Sequence, residues 1–246
     1  MKRISILFAA LLSLLALAQS PKETVEAALK ATFGEWAGRT YRGLDRLVYY
    51  TPEGKEEQAL RARTYLDVGR CRLRLEIAPE GAETPAVLVY TQERQFLRLP
   101  DGREAPLDDR LFLELLFAWQ TGFTGAAFGY DEVVPLGKVA LPDGEAEAYR
   151  VVRRAHACLP KGVLEAKPYE GKVYLREGKV VGEGYFSPIV GAETLSLYQD
   201  FREEGRARYP LKGEGYVRQG DHWVLFVRQE TLEGQVGVAL PEDLFR

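Results

Sequence analysis

Residues 70–77 read Arg70-Cys71-Arg72-Leu73-Arg74-Leu75-Glu76-Ile77, with apolar and charged side chains in alternation. Successive side chains of a strand point to opposite faces. The stretch therefore predicts a β-strand with Cys71, Leu73, Leu75 and Ile77 buried and Arg70, Arg72, Arg74 and Glu76 in water. One dry face and one wet face is the pattern of an antiparallel sheet. The period-two signal starts at Arg39 and recurs along the chain between turn signals. Pro79-Glu80-Gly81, Pro100-Asp101-Gly102, Pro142-Asp143-Gly144 and Pro160-Lys161-Gly162 place proline and glycine where a chain reverses. The expectation is an antiparallel meander of about ten strands.

Two segments depart from that period. Ser20-Pro21-Lys22-Glu23 combines a capping serine, a proline suited to the first helical position and an acid at the capping-box position. Val25, Ala28, Leu29, Thr32, Phe33 and Trp36 then form one apolar stripe, and Gly38 is the expected stop. Later, Leu107-Asp108-Asp109-Arg110 opens a second helix through Leu111, Phe112, Leu113, Leu115, Leu116, Phe117 and Trp119. It is apolar nearly all round, with Glu114 its lone charge. Residues 121–130 follow, with Gly122, Gly125 and Gly129 among Phe123, Phe128 and Tyr130, and read as a flexible aromatic loop. The expected fold is α+β: a curved antiparallel sheet forming an incomplete β-barrel, closed by an N-terminal amphipathic helix and a central apolar helix. Neither a composition shift nor a repeat divides residues 19–246, which read as a single domain.

The N-terminus reads as an address. Lys2 and Arg3 precede an apolar run over 4–17 that closes on Ala16-Leu17-Ala18, the small-residue spacing of a signal-peptidase site. Residues 1–18 are expected to be a signal peptide cleaved near Ala18-Gln19, the alternative being an uncleaved anchor, and the product to be periplasmic or otherwise exported. Loss of the two positive charges Lys2 and Arg3 takes the formal net charge from −3 to −5. In an oxidising compartment Cys71 and Cys158 read as one structural disulfide or as two unpaired buried thiols.

Several chemistries are poorly supplied. The mature chain has only Ser20, Ser187 and Ser196 as serines, none in a nucleophile elbow. His156 and His222 lie far apart in strand-like runs, without metal-ligand spacing. The negative net charge gives no basis for nucleic-acid binding, and Arg70, Arg72 and Arg74 read as a solvated strand face. No catalytic residue, metal site or cofactor is expected. What remains is binding: an apolar helix of this kind is either buried in a core or covers an apolar ligand, and the glycine-aromatic loop beside it favours a lid.

Four further stretches carry a family likeness. Asp67-Val68-Gly69-Arg70-Cys71-Arg72 resembles an R-P-G-x-F-R strand start, and residues 85–99 resemble the hairpin that follows it. Leu197-Tyr198-Gln199-Asp200-Phe201-Arg202 with Tyr209-Pro210 resembles a late strand pair, and Val238-Ala239-Leu240-Pro241-Glu242-Asp243-Leu244-Phe245 a C-terminal ending. Together they resemble the LolA-like superfamily of periplasmic outer-membrane lipoprotein carriers. That resemblance implies an incomplete barrel holding acyl chains of lipid or lipoprotein in an apolar cavity beneath helices. It also implies an inner-membrane release complex or an outer-membrane acceptor as partners. A monomer is expected.

On this expectation Leu111, Phe112, Leu115, Leu116 and Trp119 form the lid, and Phe123, Phe128 and Tyr130 are hinge contacts. Val87, Val89 and Phe96 are assigned to the sheet wall. One departure stands out: Asp67-Val68 replaces the Arg-Pro whose arginine ties down the family's lid. The alternative function is a non-enzymatic envelope interaction or lipoprotein-sensing domain that delivers no cargo.

Overall fold

The computed structural model describes residues 19–118, 121–154, 158 and 167–246. The expected signal segment, Trp119, His156 and the Pro160-Lys161-Gly162 turn lie outside them, as do the side chains of Leu115, Leu116 and Phe117.

Helix α1 (Pro21–Phe33) starts as its sequence dictates: the Glu23 N–H donates to Ser20 Oγ at 3.2 Å, and the Ser20 N–H to Glu23 Oε2 at 2.8 Å. Its end differs from the expected Gly38. Gly34 turns to φ +71° and forms a β-bridge with Ala207, so the chain leaves the helix four residues early. Trp36 is thereby outside the helix but still buried, its indole N–H shared between the carbonyls of Phe33 (2.9 Å) and Arg208 (3.1 Å).

The strands fall into two runs. The first comprises β1 (Thr40–Tyr50), β2 (Glu56–Asp67), β3 (Arg72–Pro79), β4 (Ala86–Tyr90), β5 (Gln95–Arg98) and β6 (Glu104–Ala105). Helices α2 (Asp109–Ala118) and α3 (Gly122–Phe128) interrupt the meander. The second run is β7 (Glu132–Leu141), β8 (Gly144–Arg153), β9 (Tyr169–Arg176), β10 (Lys179–Ser187), β11 (Ala192–Glu204), β12 (Ala207–Gln219) and β13 (His222–Val236).

All thirteen lie in one antiparallel sheet, ordered β6-β5-β4-β3-β2-β1-β13-β12-β11-β10-β9-β8-β7. The two meanders join where β1 pairs with β13, Tyr41 opposite Val236 and Tyr49 opposite Val227. The sheet is curved and remains open, because β6 and β7 form its two edges. The count exceeds the expected ten, several strands being short, such as β5 with four residues and β6 with two.

The main core lies on the inner face. Val25, Ala28, Leu29 and Phe33 of α1 pack with Trp36, Tyr41, Leu66, Tyr90, Val151, Tyr169, Val173 and Tyr209. A smaller cluster on the other face joins Ala146, Ala148, Tyr174, Leu195 and Leu197. A disulfide joins Cys71 to Cys158 with Cα atoms 4.7 Å apart, linking the β2–β3 turn to the segment after β8.

Two sequence expectations on this sheet are corrected. The arginines of β3 are not a solvated face: the side chains of Arg72 and Arg74 are only 12% and 16% exposed. A C-terminal 3₁₀ turn, Glu242–Phe245, packs over them. Arg70 and Arg72 both pair with Glu242, Arg74 donates to the Leu244 carbonyl at 3.0 Å, and the Arg72 guanidinium lies 4.5 Å from the centre of the Phe245 ring. Val87, Val89 and Phe96 are likewise not a cavity wall. Leu73 and its cross-strand partner Tyr90 belong to the inner core, so strand parity sends Val87 and Val89 outward. There they cluster with Phe96, over which Arg94 and Arg98 lie at 4.2 and 5.4 Å.

Candidate functional site

The inner face is covered by helices rather than by a second sheet, and α2 and α3 are the short ones. Asp108 caps α2 by accepting from the Leu111 N–H at 2.8 Å. Phe112 and Leu113 of that helix pack against the core, whereas Leu111 is half-buried beside them. Glu114, the lone charge, accepts hydrogen bonds from Tyr185 Oη and Ser187 Oγ, both on β10. A single carboxylate thus moors α2 to the sheet.

Residues 121–130 are not the open loop that their glycines imply. A helix, α3, occupies 122–128, and its aromatics are docked: Phe123 stacks on Trp36 with ring centres 4.3 Å apart and lies 5.6 Å from the ring of Tyr41. Phe128, Ala126 and Ala127 rest on the same core, and Tyr130 is buried. Helices this short are marginal in water, so tertiary contacts must hold α3.

Beside this apolar packing, polar contacts sit at both ends of the helix. At its start the Gly122 N–H donates to the Glu183 carboxylate, which also accepts from Tyr130 Oη (3.0 Å) and Tyr198 Oη (3.1 Å). At its end Arg153 donates to the carbonyls of Gly129 (2.6 Å) and Gly125 (3.2 Å) and lies 4.6 Å from the ring centre of Tyr130. An anion at the helix start and a cation at its end complement the helix dipole. Both charges are nearly inaccessible to water. Burial pushes the Glu183 carboxyl up to about 7, opposed by the Gly122 N–H, the two tyrosine hydroxyls and the charge of Arg153. Burial lowers the pKa of Arg153 and raises that of Tyr130.

A cleft of about 710 Å³ opens between α1 and α3. Leu29, Trp36, Ala126, Ala127 and Phe128 line it, with Lys30 among its charged residues. Its size falls within the range for small-ligand pockets.

The structure therefore gathers Phe112, Phe123, Phe128 and Tyr130 of the expected site at one place. Leu111 lies at its margin, and Val87, Val89 and Phe96 lie on the opposite face. Sequence reasoning missed Glu183, Arg153 and Glu114 as the residues that bond to α2 and α3. A signal was present for Arg153: in Val151-Val152-Arg153, period two puts the arginine on the same inner face as buried Val151. Asp67, at the position where the resemblance implies a lid arginine, instead accepts from the Arg70 N–H and from Arg72 and fixes the β2–β3 turn. The arginine that bonds to α3 comes from the other half of the sheet.

No protein-family model and no curated protein matches the sequence. Solved structures do. A LolA superfamily protein from Nitrosomonas europaea is similar with a TM-score of 0.57 and 11% identity, over 93% of this chain and 98% of that one. A DUF1329 family protein from Desulfovibrio piger is similar with a TM-score of 0.53 and 10% identity, over 85% and 90%. Open antiparallel sheet, covering helices and these likenesses agree: the chain has the LolA-like fold.

Proposed function

We propose that this protein is an exported, non-enzymatic carrier that holds acyl chains of lipid or lipoprotein between the inner face of its sheet and helices α2 and α3. One observation carries the reading: the apolar inner face is roofed by two short helices that pack on it through Phe112, Phe123 and Phe128 and are fastened by a few polar ties. Releasing those ties exposes Trp36, Tyr41 and Phe123, a wall of aromatic surface. Each acyl CH₂ buried there contributes about 0.8 kcal/mol, so a chain of ordinary length offsets the loss of the closed packing. The closed form is the empty carrier, its wall covered by its own side chains. The Cys71–Cys158 disulfide suits an oxidising compartment and supports export. An inner-membrane donor and an outer-membrane acceptor are the partners this role would need.

The test is binding of a fluorescent fatty acid, together with lipid extraction of protein recovered after export. A saturable signal displaced by phospholipid, and lost in Phe112→Glu, is expected. Absence of both probe binding and co-purifying acyl species would return the protein to the sensing or interaction role, with a permanently filled core.

A further inference from the structure

Six large apolar side chains are well exposed among the described residues, and three of them lie within five positions. Phe186, Ile189 and Val190 are 58%, 50% and 48% exposed, at the hairpin joining β10 to β11. In a chain with 28% charged residues, positions 185–192 read Tyr185-Phe186-Ser187-Pro188-Ile189-Val190-Gly191-Ala192 and carry no charge. The ionisable groups flanking the tip, Glu193 and Lys172, are paired with each other.

The turn is held in shape. The Gly191 N–H donates to the Ser187 carbonyl at 2.8 Å, the Val190 N–H to Ser187 Oγ at 3.0 Å, and Gly191 sits at φ +70°. Presenting Ile189 and Val190 to solvent is therefore built into the turn and does not arise from a slack loop. Ser187 Oγ is also one of the two groups that moor Glu114 of α2. The apolar tip and the lid thus share one buried serine.

We propose that the β10–β11 tip inserts into the interfacial layer of a lipid bilayer and sets the lid side of the protein against the membrane. Shape and area select this occupant. Three half-exposed side chains at a hairpin tip fall far short of the ~800 Å² per partner of a standard protein interface. A fluid apolar layer accepts such a protrusion without complementary shape. The protein is acidic and the tip uncharged, so adsorption follows from apolar burial and not from attraction to anionic headgroups. The purpose of the docking rests on the carrier reading, since acyl chains must pass between bilayer and lid.

Flotation of the exported protein with neutral phosphatidylcholine vesicles tests it. Wild type is expected to float, with little change on raising salt. The Ile189→Ser/Val190→Ser variant should lose roughly ten-fold or more of that binding. Ile189→Trp should shift its emission to the blue on vesicle addition, and Phe186→Ser stands in if the double variant fails to fold by circular dichroism. A wild type that stays in solution, or a folded double variant that floats as well, overturns the proposal. So does a wild-type dimer that the double variant converts to monomer without vesicle binding, because the tip would then be a self-interface. Fatty-acid probe binding on the same samples separates the two readings. Probe binding without flotation removes the docking alone, and flotation without probe binding removes the carrier alone.

Discussion

Glu183 is the residue at which local sequence and tertiary role diverge most. It sits between two glycines, in Gly182-Glu183-Gly184, yet it is buried against Tyr130, Tyr198 and the start of α3. Tyr169 and Arg153 also act on it electrostatically. Burial pushes its carboxyl up to about 7 in the folded protein, against 4.5 in the unfolded chain. Between those values the folded state holds a proton that the unfolded state has released, so stability falls as pH rises through the window. The loss reaches up to about 3 kcal/mol. Glu183→Gln, which keeps an acceptor for the Gly122 N–H without the charge, should flatten that dependence and be more stable than wild type at pH 8. Urea unfolding at pH 5 and pH 8 measures both, and an unchanged difference between the two pH values in the variant would remove Glu183 as its source.

At the scale of elements, propensity decided where α1 begins and packing decided where it ends. The capping box of Ser20 and Glu23 is a local signal and formed as written. The stop at Gly34 is a meeting with another strand: a Cβ there would lie 2.1 Å from the Arg206 carbonyl oxygen, at a φ that side chains avoid. Gly34→Ala should therefore cost about 2 kcal/mol or more, whereas Gly38→Ala, with open space around its Cβ, carries only its backbone strain. Thermal midpoints of the two variants, compared side by side, decide this; equal midpoints would mean that the Gly34–Ala207 bridge is not kept in solution. Helix α3 is the converse case. Three glycines in residues 121–130 argue for a loop, and tertiary contacts make it a helix: Phe123 and Phe128 docked on the core, with Glu183 and Arg153 brought from β10 and β8 to its two ends. The β3 arginines show the same limit. Their alternation located the strand correctly, but no local rule foretold that Glu242 and Phe245 would return to cover them.

For the whole molecule, the central event is the pairing of β1 with β13, the most distant strands in the chain. Each meander is local and readable from its turns; their junction depends on the far end returning to Tyr41. The disulfide is a second long tie, closing 87 residues. In the chain-entropy account a loop of that length stabilises by about 4.6 kcal/mol, so reduction should lower the unfolding midpoint markedly while leaving the sheet formed in mild conditions. Calorimetry with and without reductant tests this, and a midpoint insensitive to reduction would contradict it.

The alternation around Arg70–Ile77, the turn signals and the two apolar helices determined an antiparallel sheet with helical cover, because side-chain period and capping are properties of neighbouring residues. The tertiary structure alone decided that the described residues form a sheet of thirteen strands joined at β1 and β13, that Val87, Val89 and Phe96 face away from the inner core, and that Glu183 and Arg153 bond to the two ends of α3. Those facts depend on strand parity accumulated through bulges and turns, and on charges that become neighbours only when distant strands pair.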